Sequence, residues 1–225
     1  MKPAWSPAVL YKNRSQAGQV LAARLRPYIH HNPIILAVPR GGVPVGYQVA
    51  RELEAPLDVL MVSKIGAPGN KDMALGAITD GAARRWVANQ AMLEYLNPPA
   101  GWFEAERDRQ IDSIERRRRL YRGYIDPMVI TGRTVIVVDD GVATGSTARV
   151  ALVALAEAAP ARLVWAAPVG PAGVAEGLRT LADDVVCLAT PDVVKHIETY
   201  YQDFCPVSDQ DVLSLLARCR SDSRV

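Results

Sequence analysis

Asp139 and Asp140 stand at the end of four β-favouring apolar residues, Val135-Ile136-Val137-Val138. Gly141-Val142-Ala143-Thr144-Gly145-Ser146-Thr147 follows directly, and an apolar stretch of helical character comes next. Adjacent carboxylates can hold sugar hydroxyls or a hard divalent cation. A short loop of Gly, Ser and Thr offers backbone N–H groups and hydroxyls to a phosphate, and the helix start behind it adds the positive end of its dipole. The two features side by side suit a phosphorylated sugar that also carries a metal ion. The string is not a P-loop, because no Lys precedes the Ser/Thr, and it lacks the G-x-G-x-x-G dinucleotide pattern.

Two further groups could serve the same ligand. Arg40-Gly41-Gly42 follows an apolar run and opens a helical pattern, so it reads as a tight strand-to-helix turn with a cation in it. Lys64 ends a second apolar run and precedes Ile65 to Lys71, a stretch with two glycines and a proline that reads as a mobile loop. Lys71 is a further candidate phosphate contact.

The elements that must position these residues alternate. Ser15 can cap a helix over about Gln16 to Ile29, with Val20, Leu21, Leu25 and Ile29 on its apolar face. Ile34 to Val38 reads as a buried strand, Val43 to Leu53 as a helix with Pro44 tolerated in its first turn, and Leu57 to Val62 as a second strand. Ala74 to Ile78 and Arg84 to Val87 can pair as a hairpin across Thr79-Asp80-Gly81. Trp102 to Tyr124 is a long charged helix, with Ile111, Ile114, Tyr121 and Ile125 marking one face. Strands at Val135–Val138, Leu163–Ala167 and Val185–Leu188 then alternate with helices from about Ser146 to Ala158 and from Pro171 to Leu181. Arg218 to Val225 reads as a frayed polar tail. The alternation predicts an α/β fold, a Rossmann-like parallel sheet flanked by helices. It is expected to form a single domain over 1–225, with a flexible loop and hairpin at 64–90, the long charged helix at 102–124 and a hood-like C-terminal region at 189–217.

Composition bounds the function. A chain of 225 residues with 49% hydrophobic content can build one sizeable core. The net charge of +2 gives no global sign of a nucleic-acid partner. The run Arg116-Arg117-Arg118-Arg119 fans round a helix rather than forming a stripe, and Glu104, Glu106, Asp108, Asp112 and Glu115 offset it. Three scattered cysteines lack metal-ligand spacing and do not make a disulfide framework. With no signal-peptide pattern and no transmembrane-length apolar run, a soluble, cytoplasmic protein is expected.

The acid pair and its loop closely resemble the phosphoribosyl pyrophosphate (PRPP) motif of the type I phosphoribosyltransferases. The strings VPRGGVPVG, KIGAPGN, ALGAI and YYQDF make the chain similar to a stand-alone subgroup of that family whose acceptor is unassigned. The resemblance implies the family's fold and a Mg²⁺-dependent transfer of the 5-phosphoribosyl group from PRPP to an unidentified, nucleobase-like acceptor, with release of pyrophosphate. It implies that Asp139 and Asp140 contact the ribose hydroxyls, directly or through Mg²⁺, and that Ala143, Thr144, Gly145, Ser146 and Thr147 wrap the 5′-phosphate. Arg40, Gly41, Gly42 and Lys64 would hold the pyrophosphate, with a cis peptide expected at Arg40–Gly41. A hood over the sheet would select the acceptor, its candidates here being Val193, Ile197, Tyr200 and Tyr201. Hypoxanthine–guanine enzymes carry a third acid where this chain has Ala143, which disfavours those acceptors. A homodimer is implied only by analogy. The rival readings are a non-catalytic PRPP or nucleotide sensor on the same fold, and a different Rossmann-like hydrolase or phosphatase.

Overall fold

Residues 9–80, 85–123 and 125–222 are described by a computed structural model; at 71, 72, 85 and 222 only the backbone is described. Lys71's side chain, Gly81, Arg84, Tyr124 and Ser223 to Val225 therefore lie outside the description, together with the expectations that fell on them.

Five strands form a parallel sheet in the order β2 (Leu57–Val59), β1 (Ile34–Ala37), β6 (Thr134–Val138), β7 (Arg162–Val169), β8 (Asp184–Ala189). Strand residues alternate between two cores, because successive side chains point to opposite faces. Ile35, Ala37, Ile136, Val138, Val164 and Ala166 join one apolar cluster, which also holds Val43 and Val49 of α2 (Gly42–Glu52). Ile34, Leu36, Val135, Val137, Leu163 and Trp165 face the other cluster, with Ala148, Ala151 and Leu152 of α5 (Ser146–Ala156) and Leu178 of α6 (Ala172–Leu178). Both faces are covered, as a parallel sheet requires.

Helix α1 (Arg14–Leu25) starts two residues earlier than its pattern suggests and is capped by Asn13 rather than Ser15, the Asn13 side-chain oxygen accepting the Gln16 N–H at 3.0 Å. It tightens into a 3₁₀ turn over Arg26–His31 instead of running to Ile29 as an α-helix, because Pro27 has no N–H to continue the ladder. Val20 is exposed rather than part of the apolar face.

The largest departure lies between Leu57 and Ala88. The expected single strand splits at Leu60-Met61. β2 stays in the parallel sheet, while β3 (Val62–Ala67) turns into a separate antiparallel sheet in the order β3, β4 (Asn70–Thr79), β5 (Arg85–Ala88). The stretch expected to be a mobile loop is thus the β3–β4 hairpin, turning at Pro68-Gly69, where Gly69 has φ +71°. The β4–β5 pairing follows the expected hairpin, with Thr79 opposite Arg85. The small sheet packs on α5 through Ala77, Val150 and Ala154.

A short helix, α3 (Gln90–Leu96), carries no buried residue and was not evident in the pattern. Helix α4 (Trp102–Arg122) forms as expected and buries Phe103, Ile114 and Tyr121, whereas Ile125 is exposed beyond its end. Its last residue, Arg122, is buried. The guanidinium donates to Asp58 at 2.8 Å, to Asp80 and to the Val59 carbonyl. As far as Asp222 the expected frayed tail is helical: α7 (Asp209–Asp222) buries Val212, Leu216 and Cys219 in the main core. Among the described residues, no helix is long and apolar enough to cross a membrane.

Candidate active site

The pairing of β1 with β6 sets Ala37 opposite Val138, so the loops leaving both strands emerge together at the sheet's carboxyl edge. That edge is where open α/β sheets bind ligands. One loop is Pro39 to Gly41 and the other carries Asp139 and Asp140.

The loops touch closely. A Cβ on Gly42 would lie 2.7 Å from the Val138 carbonyl oxygen and 3.0 Å from Asp139 Cα. A Cβ on Gly41 would meet Asp140 Oδ2 at 2.1 Å. Only a residue without a side chain fits at either position. The cis peptide lies at Pro39–Arg40, one bond before the expected Arg40–Gly41. Gly41 is already helical, at φ −60° and ψ −36°, and opens α2, so the chain has made its turn before that residue.

The two acids differ in setting. Asp140 is buried, and its Oδ2 accepts from Arg14 Nε at 2.7 Å. Asp139 is half-buried and accepts the Asp140 backbone N–H at 2.9 Å. Burial, together with the neighbouring Asp140 charge, pushes the Asp139 carboxyl well above the usual carboxylate range.

The loop after the acids is pinned at one point and open at others. Val142 N–H donates to the Val169 carbonyl at 2.8 Å. Gly145 takes the left-handed conformation, φ +73°, that turns the chain into α5. Ser146 N–H donates to Thr144 Oγ1 at 3.4 Å, while Thr144 and Thr147 are exposed at the helix start and Ala143 is half-buried. Lys64 is not at a strand end as expected but inside β3, which lies over α5, and its Nζ donates to Ser146 Oγ at 3.2 Å. The structure thus brings Lys64 to the Thr144–Thr147 loop. Arg40 reaches away from that loop, toward Asp209 of α7 at 3.5 Å.

The hood-like segment folds across the same edge. Ile197 covers Gly141, where a Cβ would lie 2.5 Å from Ile197 Cγ2. Val193 is exposed. Tyr200 and Tyr201 are buried among Tyr11, Val169 and Val194. The Tyr201 hydroxyl donates to the Asp140 backbone carbonyl at 2.5 Å, and burial with Asp140 beside it raises that hydroxyl's pKa. His196 is exposed, 3.3 Å from Glu198.

Arg14, Tyr11 and Phe204 were not singled out as site residues. Arg14 is 126 residues from Asp140 and sits in a stretch whose only periodic signal is helical. The YYQDF string holds Phe204, but nothing in it identifies an arginine partner.

A divalent cation fits this donor set only in part. Among the described residues, no three His, Cys, Asp or Glu side chains gather to cage a metal. Mg²⁺ rarely needs such a cage: it takes one or two carboxylates, substrate phosphates and retained waters. Asp139, half-open beside the Ala143–Thr147 loop, suits that mode, whereas one oxygen of Asp140 is already committed to Arg14.

Residues 8–203 match the family model described as the phosphoribosyl transferase domain. A Mycobacterium tuberculosis protein provisionally named a phosphoribosyl transferase is 38% identical over 214 residues, which are 95% of this chain and 48% of that protein. The chain thus spans about half the length of the curated relatives it matches. The crystal structure of TT1426 from Thermus thermophilus shares 38% identity and superposes with a TM-score of 0.84, covering 93% of this chain and 98% of that one.

Proposed function

Since the chain belongs to the phosphoribosyl transferase family, we propose that it moves a 5-phosphoribosyl group from PRPP to an unidentified, nucleobase-like acceptor and releases pyrophosphate. The observation that carries this reading is the seating of Gly41 and Gly42 on Asp139 and Asp140. A loop able to hold one phosphate group lies against the acid pair, and the Ala143–Thr147 loop able to hold another follows it. PRPP has that layout, with a phosphate at each end of a dihydroxy sugar.

In the reaction the bond from ribose C1 to pyrophosphate oxygen breaks, and a bond from C1 to the acceptor's nucleophilic atom forms. The acceptor's proton leaves to solvent or to the departing group. Positive charge builds on the ribose and negative charge on the pyrophosphate, so the protein acts by placement and electrostatics. Ala143, Thr144, Gly145, Ser146 and Thr147 hold the 5′-phosphate through amides and hydroxyls. Lys64, beside Ser146, adds a cation at the same end. Asp139 and Asp140 take the 2′ and 3′ hydroxyls and favour the oxocarbenium-like ribose. Arg40 and the Gly41 amide receive the pyrophosphate at the turn that Gly42 keeps close, its own N–H donating to the Val38 carbonyl at 3.0 Å. Asp139, together with oxygens of the substrate, would hold a Mg²⁺ ion, which would supply charge neutralisation at the pyrophosphate. Val193 and Ile197 are the hood residues placed to meet an acceptor.

A screen for pyrophosphate release from PRPP, against nucleobases and other small amines and acids, tests this reading. Release that depends on both PRPP and one acceptor is expected. Failure of PRPP to bind with Mg²⁺ present overturns it. One observation favours a second reading, a non-catalytic PRPP or nucleotide sensor: both hood tyrosines are buried in their own packing. Tight PRPP binding with no release across the panel would select the sensor.

A further inference from the structure

We infer that Arg14 is a positioning residue for the acid pair, locking Asp140 against the Gly41 turn and tying both to the hood. For its effect on ligand binding this rests on the PRPP reading; for its mechanical effect it does not.

One guanidinium does three things at once. Its Nε donates to Asp140 Oδ2 at 2.7 Å, its Nη1 donates to the Cys205 carbonyl at 2.8 Å, and its plane lies 3.5 Å from the centre of the Phe204 ring. Both side chains of the ion pair are nearly buried, at 11% and 12% exposure. Arg14 cannot drift from this place. It is the first residue of α1, whose start is fixed by Asn13 and by Gln16, whose Oε1 accepts the Lys12 N–H at 2.6 Å.

The backbone just before it is zipped to the hood. Leu10 and Tyr11 N–H donate to the Tyr200 carbonyl at 2.9 and 3.1 Å. Gln202 and Asp203 N–H donate to the Tyr11 and Lys12 carbonyls, both at 2.8 Å. Asp140 is therefore gripped twice, at its carboxylate by Arg14 and at its carbonyl by Tyr201. The carboxylate oxygen that Arg14 holds is the one that fills the space a Cβ on Gly41 would need. Removing the guanidinium frees that carboxylate to rotate, and the turn loses the surface it rests on. Buried carboxylates deprived of their partner are also poorly tolerated where they stand.

Arginine suits the task as lysine does not. A planar fork can meet a carboxylate and a carbonyl in its own plane while its face stacks on an aromatic ring. An ammonium cannot do all three.

The test uses Arg14→Met, Arg14→Lys and Arg14→Ala in the full chain, with two readouts. The first is PRPP affinity by calorimetry with Mg²⁺ present. Arg14→Met is expected to lose at least about tenfold and Arg14→Lys to recover only part of that, in proteins that still unfold cooperatively. Millimolar methylguanidinium should restore part of the affinity in Arg14→Ala and none in Arg14→Met, where the methionine fills the space. The second readout needs no ligand: amide hydrogen exchange should quicken at Gly41, Gly42 and residues 201–204 in Arg14→Met and stay unchanged in β3 and β4. Wild-type PRPP affinity in folded Arg14→Met, full recovery by Arg14→Lys, absence of rescue in folded Arg14→Ala, or unchanged exchange at those sites would each overturn the inference. If the wild type binds no PRPP, the function reading fails and the exchange result alone decides the role of Arg14. If Arg14→Met does not fold, the lysine variant and the rescue decide it.

Discussion

Gly41 and Asp140 are in direct contact: the glycine's missing Cβ would fall 2.1 Å from the carboxylate oxygen that Arg14 also holds. Two loops that lie 99 residues apart in sequence thereby form one surface. Substituting Gly41→Ala forces either the turn or the carboxylate to move, and overpacking of this kind costs roughly 1–3 kcal/mol. The cost is expected to appear as a melting temperature lowered by several degrees and as PRPP binding weakened about tenfold or more. Calorimetric titration of wild type and variant decides it, and equal affinity would remove the contact from the site's working geometry.

Asp139→Asn keeps the shape of the half-open acid and removes its ability to ionise when a ligand binds. Pyrophosphate release should fall by about 10²-fold or more, the scale on which losing one electrostatic stabiliser slows an enzyme. The circular dichroism spectrum should not change. Retained turnover would take Asp139 out of the mechanism.

Asp80 gives stability a pH signature. Burial, opposed by the Arg122 charge and reinforced by the Asp58 charge, pushes its carboxyl from 3.8 up to about 6. A carboxyl whose folded pKa is raised binds its proton more tightly in the folded state. Its contribution is therefore fully present below about pH 4 and is lost as pH rises through about 6. Asp80→Asn cannot titrate. The stability of the wild type relative to this variant should decline across that window by at most about 3 kcal/mol and level off above pH 7. Urea unfolding at several pH values measures the difference; a flat difference would show that Asp80 does not titrate in this window.

Leu216 tests whether the C-terminal helix belongs to the core. It is 1% exposed, in α7, among the residues of the main cluster. Leu216→Ala should destabilise the protein by about 2–5 kcal/mol. A loss below about 1 kcal/mol, read from denaturant midpoints, would mean that the helix is only loosely attached.

The parallel sheet was legible because its strands are short, continuous apolar runs that end in Gly, Pro or acidic residues, as at Val138-Asp139 and Ala37-Val38-Pro39. Asp139, Asp140 and the loop to Thr147 stand out in the sequence for a similar reason: nine consecutive residues carry the whole pattern, and the strand-loop-helix setting it calls for is the one that forms. The small sheet was not. β3, β4 and the turn between them carry Gly66, Gly69, Gly76 and several alanines, a composition that mimics a loop until the strands pair with each other and α5 covers them. Helix α7 was hidden because Arg218, Arg220 and Asp222 dominate its end, although Val212, Leu216 and Cys219 keep helical spacing. Arg14 was hidden for a different reason. Its meaning comes only from Asp140 and Phe204, and neither lies near it in sequence.

The Arg122 guanidinium bridges Asp58 in β2 and Asp80 at the end of β4, so it pins the main sheet to the small one at a point far from water. Pulling the sheets apart there would strand a cation and two anions in an apolar interior. The small sheet, which carries Lys64, therefore cannot leave the main sheet without breaking that buried triad. The ion pairs that join the two sheets thus also keep the lysine beside the Thr144–Thr147 loop.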